Sequence, residues 1–128
     1  ISKNIVFNEL YVDWDEPVIL VEGLFDALVA GQNAIPILGS TLREESKLFQ
    51  AIVINDSPVY LALDEDAKNK EEYIIKLFHK YDVSVKTIDT TNIEDVGSMS
   101  KSQFLARMSK AVEPDIDEIN FLNQLRNI

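Results

Sequence analysis

Three carboxylates stand where short apolar runs end. Glu22 follows Pro17-Val18-Ile19-Leu20-Val21, and Asp64 and Asp66 follow Val59-Tyr60-Leu61-Ala62-Leu63. In an extended Asp-x-Asp, side chains two residues apart leave the backbone on the same side. Bringing both beside Glu22 builds an anionic pocket, and neighbouring carboxylates disfavour each other's ionisation. A hard divalent cation relieves that conflict, and Mg²⁺ takes a few carboxylates together with water and substrate phosphate. Asp26, one helical turn after Glu22, can face the same place. Asp95, in a polar stretch, is a further candidate ligand. Two simpler roles compete: Asp66 can cap a helix beginning near Lys68, and Ser40 or Thr41 can cap the helix after Gly39. The same Gly39-Ser40-Thr41 segment, lying before a helix, is also a candidate anion site through Ser40.

The elements that must position these groups alternate. Residues 17–22 form an apolar run stopped by a charge, which predicts a buried strand with Gly23 as breaker. Residues 24–30 predict a helix, with Leu24 and Leu28, and Phe25 and Val29, at helical spacing and Gly31 as its stop. Residues 34–38 predict a second strand, and Pro36 places it at an edge or a strand end. A helix is expected over about 42–51, then a turn at Asn55-Asp56-Ser57-Pro58. Residues 59–63 predict a third strand. A helix over 70–81 carries Tyr73, Ile74, Leu77 and Phe78, and a fourth strand covers 83–88. A polar loop at 92–100 leads to a helix to about 111, with Phe104, Leu105 and Met108 as its buried face. Pro114 ends it, and 115–125 predict a last helix with Ile116, Ile119, Phe121 and Leu122 apolar. This alternation implies a parallel sheet with helices on both faces. In such folds ligands bind beyond the carboxyl ends of the strands, where the acidic residues lie.

Composition narrows the classes. The 128 residues allow one domain with a core that folds without staples. Cysteine is absent, which excludes disulfides, a thiol nucleophile and Cys-based zinc. One histidine, His79, excludes sites needing two, and its helix-end position predicts a solvated side chain. Tyr11 and Trp14 can stack a base, but packing onto the sheet is the simpler expectation. No apolar run approaches a membrane span, so no membrane partner is expected. No signal peptide is visible, and a cytoplasmic location is expected. The chain opens on Ile1 and is expected to be a piece of a longer one. Twelve basic against twenty-two acidic residues give a net charge of −10, which repels a phosphate backbone. A nucleic-acid role then needs metal ions between protein and phosphate, or basic surface elsewhere.

Val21-Glu22-Gly23-Leu24-Phe25-Asp26-Ala27-Leu28, Leu38-Gly39-Ser40 and Leu63-Asp64-Glu65-Asp66-Ala67 together resemble the Toprim domain. That domain is shared by primases, topoisomerases and some nucleases. The arrangement most resembles the primase branch, and residues 7–40 look like the primases of T-even-type tailed phages. The resemblance covers about residues 17–104. It implies an α/β, Rossmann-like fold with about four parallel strands and helices on both faces. A lead-in from a preceding domain would cover 1–16, the Toprim catalytic domain 17–112 and a C-terminal helix 113–128. It further implies that Glu22, Asp64 and Asp66 are catalytic, Glu22 as a metal-site or general acid/base carboxylate. Mg²⁺ or Mn²⁺ would be held by Glu22, Asp64 and Asp66, with Asp26 in support and Asp95 from the late acidic motif. That motif often carries a second Asp two positions on, where this chain has Gly97. The position commonly Gly after Asp-x-Asp-Ala is Lys68, which offers Lys68 or Lys70 to a phosphate.

The implied activity is metal-dependent nucleotidyl transfer, the making of RNA primers for DNA replication. The implied partners are nucleoside triphosphates, a single-stranded DNA template in the full protein and a replicative helicase. The location would be the cytoplasm of a bacterial or phage-infected cell. A fragment lacking template-binding surface is expected to be inactive alone. Alternatives remain: a Toprim domain of a topoisomerase or nuclease, or a Mg²⁺-binding receiver-like signalling module. The receiver pattern normally has paired acids after its first strand and a Lys after its fifth.

Overall fold

The structure, a computed structural model, describes residues 11–38 and 42–126. Strands β1 (Val18–Val21), β2 (Ala34–Pro36), β3 (Val59–Ala62) and β4 (Val85–Thr87) form a four-stranded sheet in the order β2-β1-β3-β4. All three pairings are parallel. Helices α1 (Leu24–Ala30), α2 (Lys47–Asn55), α3 (Lys68–Lys80), α4 (Lys101–Met108) and α5 (Ile116–Arg126) connect and flank the strands. A 3₁₀ turn at Val96–Ser98 precedes α4. The fold is the expected α/β, Rossmann-like one, consistent with a Toprim arrangement.

The strand order decides where the helices go. The chain steps from β1 to β2 in one direction, then crosses back over β1 to β3 and onward to β4. Right-handed crossovers then put α1 on one face of the sheet and α2 and α3 on the other. Strand side chains alternate to match. Val18, Leu20, Val59 and Leu61 join Phe49, Ile52, Ile74 and Phe78 on the α2–α3 face. Ile19, Val21 and Ala62 join Ala27, Ala30, Val96 and Phe104 on the α1–α4 face. Because both faces are covered, β1 is apolar at every position, and all four of its residues are buried.

Several expectations shift in detail. Helix α1 has the expected bounds, but Leu24, Phe25 and Leu28 are exposed while Asp26, Ala27 and Ala30 are buried. Helix α2 starts five residues later than expected, capped by Ser46, whose hydroxyl accepts from Phe49 N–H at 3.2 Å. Leu42 is buried before the helix begins, so its burial there is a loop contact. Ser40 and Thr41, named as caps, lie outside the described residues. Pro36 sits on an edge strand, as expected. Helix α4 stops at Met108, short of 111, because Val112 bridges antiparallel to Thr87 at the β4 edge. Leu105 is exposed rather than part of the buried face. The 92–100 stretch is packed, with Val96 and Met99 in the core. Trp14 packs against the core, Tyr11 is exposed, and His79 is exposed late in α3. In α5, Ile116 and Ile119 pack against the core while Arg126 pairs with Glu72 at 3.0 Å. Among the described residues no helix is long and apolar enough to cross a membrane.

Candidate functional site

The direction of the chain reverses between β1 and β3, so their carboxyl ends flank the crevice where ligands of doubly wound sheets bind. The register pairs Val21 with Ala62. Glu22 is therefore level with Leu63, and Asp64 follows one residue later. Leu38 N–H donates to the Glu22 carbonyl at 3.0 Å, which extends the β2 pairing to Glu22 and fixes its backbone.

Each of the two carboxylates keeps one oxygen unpaired. Glu22 Oε1 and Asp64 Oδ1 are both buried and without a hydrogen-bond partner. An orphaned buried acceptor normally costs about 1–3 kcal/mol, more when charged. Burial, then the charges of Glu22, Asp26, Asp66 and Asp95, push the Asp64 carboxyl above its usual range. The other Glu22 oxygen, Oε2, accepts from Lys70 Nζ at 3.2 Å, and both side chains are largely buried.

Asp26 is held differently. Its Oδ2 accepts from Gly23 N–H at 3.0 Å and its Oδ1 from Gly97 N–H at 2.6 Å. It therefore ties the start of α1 to the 3₁₀ turn. Asp95 caps that turn, accepting from Ser98 N–H at 2.9 Å. Gly97 sits at a close approach to α1. A Cβ there would lie 3.1 Å from Asp26 Oδ1 and 3.2 Å from Phe25 Cβ, so the close approach leaves little room for a side chain.

Asp66 departs from the extended geometry expected of Asp-x-Asp. The Ala67 N–H donates to the Asp64 carbonyl at 2.9 Å, making a turn that leaves Asp66 exposed. Asp66 does not cap α3 either: the cap residue is Ala67, with no side-chain bond. Lys68 is exposed and pairs with Glu71 at 3.5 Å. Ser40 lies outside the described residues. Among the described residues, no group of three or more acidic or histidine side chains is drawn together closely enough to hold a cation as it stands. The donor chemistry nonetheless fits a hard divalent cation, since Glu22 Oε1 and Asp64 Oδ1 are buried carboxylate oxygens left without a hydrogen-bond partner.

Sequence reasoning missed the groups that hold the loop after β4. Arg107 Nη1 donates to the carbonyls of Asp89 and Thr91 at 2.8 and 3.0 Å. Thr90 Oγ1 donates to the Leu63 carbonyl at 2.7 Å, tying this loop to the end of β3. Beside it opens a cleft of about 620 Å³, lined by Lys68, Glu71, Thr90, Arg107 and Lys110 among others. Only the basic end of α4 hinted at Arg107, and nothing local marks its carbonyl partners.

The fold and its acidic crevice define a doubly wound α/β domain with polar groups at its switch point. No protein-family model matches the chain, and no curated protein matches it. Among solved structures, it is similar to the zinc-binding and RNA polymerase domains of the Aquifex aeolicus primase. The TM-score is 0.68 at 21% identity, over 89% of this chain and 31% of that one. The chain thus spans less than a third of the primase chain it matches, and the likeness shows a shared fold.

Proposed function

We propose that this chain is the catalytic, Toprim-type domain of a DNA primase and serves metal-dependent nucleotidyl transfer. The observation that carries the reading is the pair of buried, unpartnered oxygens, Glu22 Oε1 and Asp64 Oδ1, at the switch point. The fold shared with part of a primase's zinc-binding and RNA polymerase domains supports it. Glu22 and Asp64 would hold Mg²⁺ or Mn²⁺, with Asp66 and Asp95 adding negative charge beside them. Asp26, both of whose oxygens accept backbone N–H groups, positions the α1 start and the Asp95 turn.

In primer synthesis a 3′ hydroxyl attacks the α-phosphate of a nucleoside triphosphate. The new P–O bond forms as the α–β bond breaks and pyrophosphate leaves. The bound cation would neutralise the triphosphate and make the hydroxyl more acidic. The chain's own part is to fix its carboxylates on rigid strand ends, so that little reorganisation is needed at reaction. The net charge of −10 is compatible with this role, because cations stand between carboxylate and phosphate. A single-stranded DNA template and a replicative helicase would be partners of the full protein, in a bacterial or phage-infected cell.

A Mn²⁺ titration followed by amide NMR tests the reading, on wild type and on Asp64→Asn. Broadening centred on residues 22–26 and 64–66, lost in the variant, is the expected result. Uniform broadening, or none at millimolar Mn²⁺, overturns the metal site.

A further inference from the structure

Glu22 has one oxygen without a partner and one held by Lys70 Nζ at 3.2 Å. Lys70 arrives from the first turn of α3, 48 positions along the chain, and its side chain is only 22% exposed. A lysine this enclosed gives up hydration, and here it does so beside a carboxylate that the fold has also desolvated. Lys68, two positions earlier, makes a different pair, with Glu71, at 72% exposure. Among the described residues, Lys70 is the cation that the ion pairs bring to the acidic crevice.

We infer that Lys70 is the resident counter-ion of Glu22, displaced when a divalent cation enters and then free to bind the phosphate that the cation brings. The inference rests on the metal reading above and goes beyond it, because it assigns an exchange of partners. Without metal, the ammonium offsets part of the charge of Glu22. With metal, Glu22 turns its charge to the divalent ion, and two cations in contact with one carboxylate repel each other. The lysine stem is flexible and its head is a point charge, so it can swing to an anionic oxygen in the same crevice. By linkage, a phosphate that holds Lys70 away from Glu22 must also tighten the metal.

The test compares full-length wild type, Lys70→Gln and Lys68→Gln, each first checked for an unchanged amide spectrum. Mn²⁺ affinity is read from electron paramagnetic resonance of the free ion. Lys70→Gln is expected to bind Mn²⁺ about 5-fold tighter or more, and Lys68→Gln less than about 2-fold tighter, since its charge is solvated and screened. Lys70→Arg, which keeps the charge, is the second variant and is expected to stay within about 2-fold of wild type. Pyrophosphate binding at saturating Mg²⁺ is expected to weaken about 5-fold or more in Lys70→Gln and to change little in Lys68→Gln. Equal effects from the two glutamine variants would mean long-range charge only and would overturn the inference. So would Mn²⁺ binding in Lys70→Gln no tighter than in wild type, or pyrophosphate binding left unchanged. In those cases wild type still shows the localised Mn²⁺ site. Failure of that site in every variant defeats the metal reading itself.

Discussion

Against one face of the sheet lie Phe49, Phe78, Ile52, Ile74 and Leu48, with the Phe49 and Phe78 rings stacked 5.2 Å apart. Against the other lie Ala27 and Ala30 of α1, packed on Ala34 and Ala62 of the strands, together with Val96, Met99 and Phe104, and Asp26 of the same helix is also buried. The first face is held by bulk, through large side chains that leave water. The second is held by approach. Its small residues let α1 come close enough for Asp26 to reach the Gly97 N–H. That closeness brings the Asp95 turn to the edge where Glu22 and Asp64 stand. The contrast teaches a division of labour in which one face stabilises the sheet and the other sets the geometry of its acidic edge.

The largest break in this comparison should come from truncating bulk. Phe78→Ala, at a fully buried position, is expected to cost about 3–5 kcal/mol in urea unfolding, with amide shifts concentrated on the α2–α3 side. On the other face, Asp26→Asn should cost less, about 2–3 kcal/mol, through weakened acceptance from Gly23 and Gly97. Its signature is positional: the amide resonances of residues 95–98 should move in Asp26→Asn and stay put in Phe78→Ala. An Asp26→Asn spectrum without such movement would dissolve the distinction between the faces.

Gly97→Ala sharpens the comparison further. Its new methyl group would press on Asp26 Oδ1 and on the Phe25 backbone, 3.3 Å away, so α1 must yield by tenths of an ångström. The expected cost is about 1 kcal/mol. In a double-mutant cycle with Asp26→Asn the two effects should fall short of additive, because each loosens the same contact.

The smallest effect belongs to Glu71, whose carboxyl is pushed above its ordinary 4.5, chiefly by burial. A raised carboxylate pKa means that the folded state binds the proton more tightly than the unfolded one. Glu71 therefore destabilises the fold at neutral pH, and the penalty fades as pH falls towards 4.5. Glu71→Gln should stabilise slightly at pH 7 and flatten the rise in stability on acidification, as followed by thermal unfolding at several pH values.

The strands and α1 were legible because short apolar runs ended in a charge or a glycine, a signal that survives without knowledge of tertiary contacts. Helix α2 was misplaced because Leu42 looked like a helical residue while its burial is a loop contact, and because Ser46 is a better cap than anything local suggested. The apolar spacing of Leu24, Phe25 and Leu28 marked a helix but not its inward face, since alanines and an aspartate carry the close packing. The acidic strand ends were visible as residue types. That Asp64 is half-enclosed while Asp66 sits out on a turn depends on a hydrogen bond, Ala67 to Asp64, that no periodicity encodes. The partner chosen by Lys70 and the loop held by Arg107 lie across long sequence separations and were equally invisible.

The two outer strands of the sheet are each blunted. Ile37 N–H reaches inward to the Val21 carbonyl, so the neighbouring Pro36 turns its nitrogen outward, where it has no hydrogen to offer. At the opposite margin Val112 bridges Thr87 in the antiparallel sense, occupying hydrogen-bonding groups of β4. A sheet closed in this way gives a foreign strand little to zip onto, which guards an acidic chain with a hydrophobic interior against edge-to-edge aggregation. Among the described residues, the surfaces left open to a neighbouring protein are then chiefly those of the helices and loops.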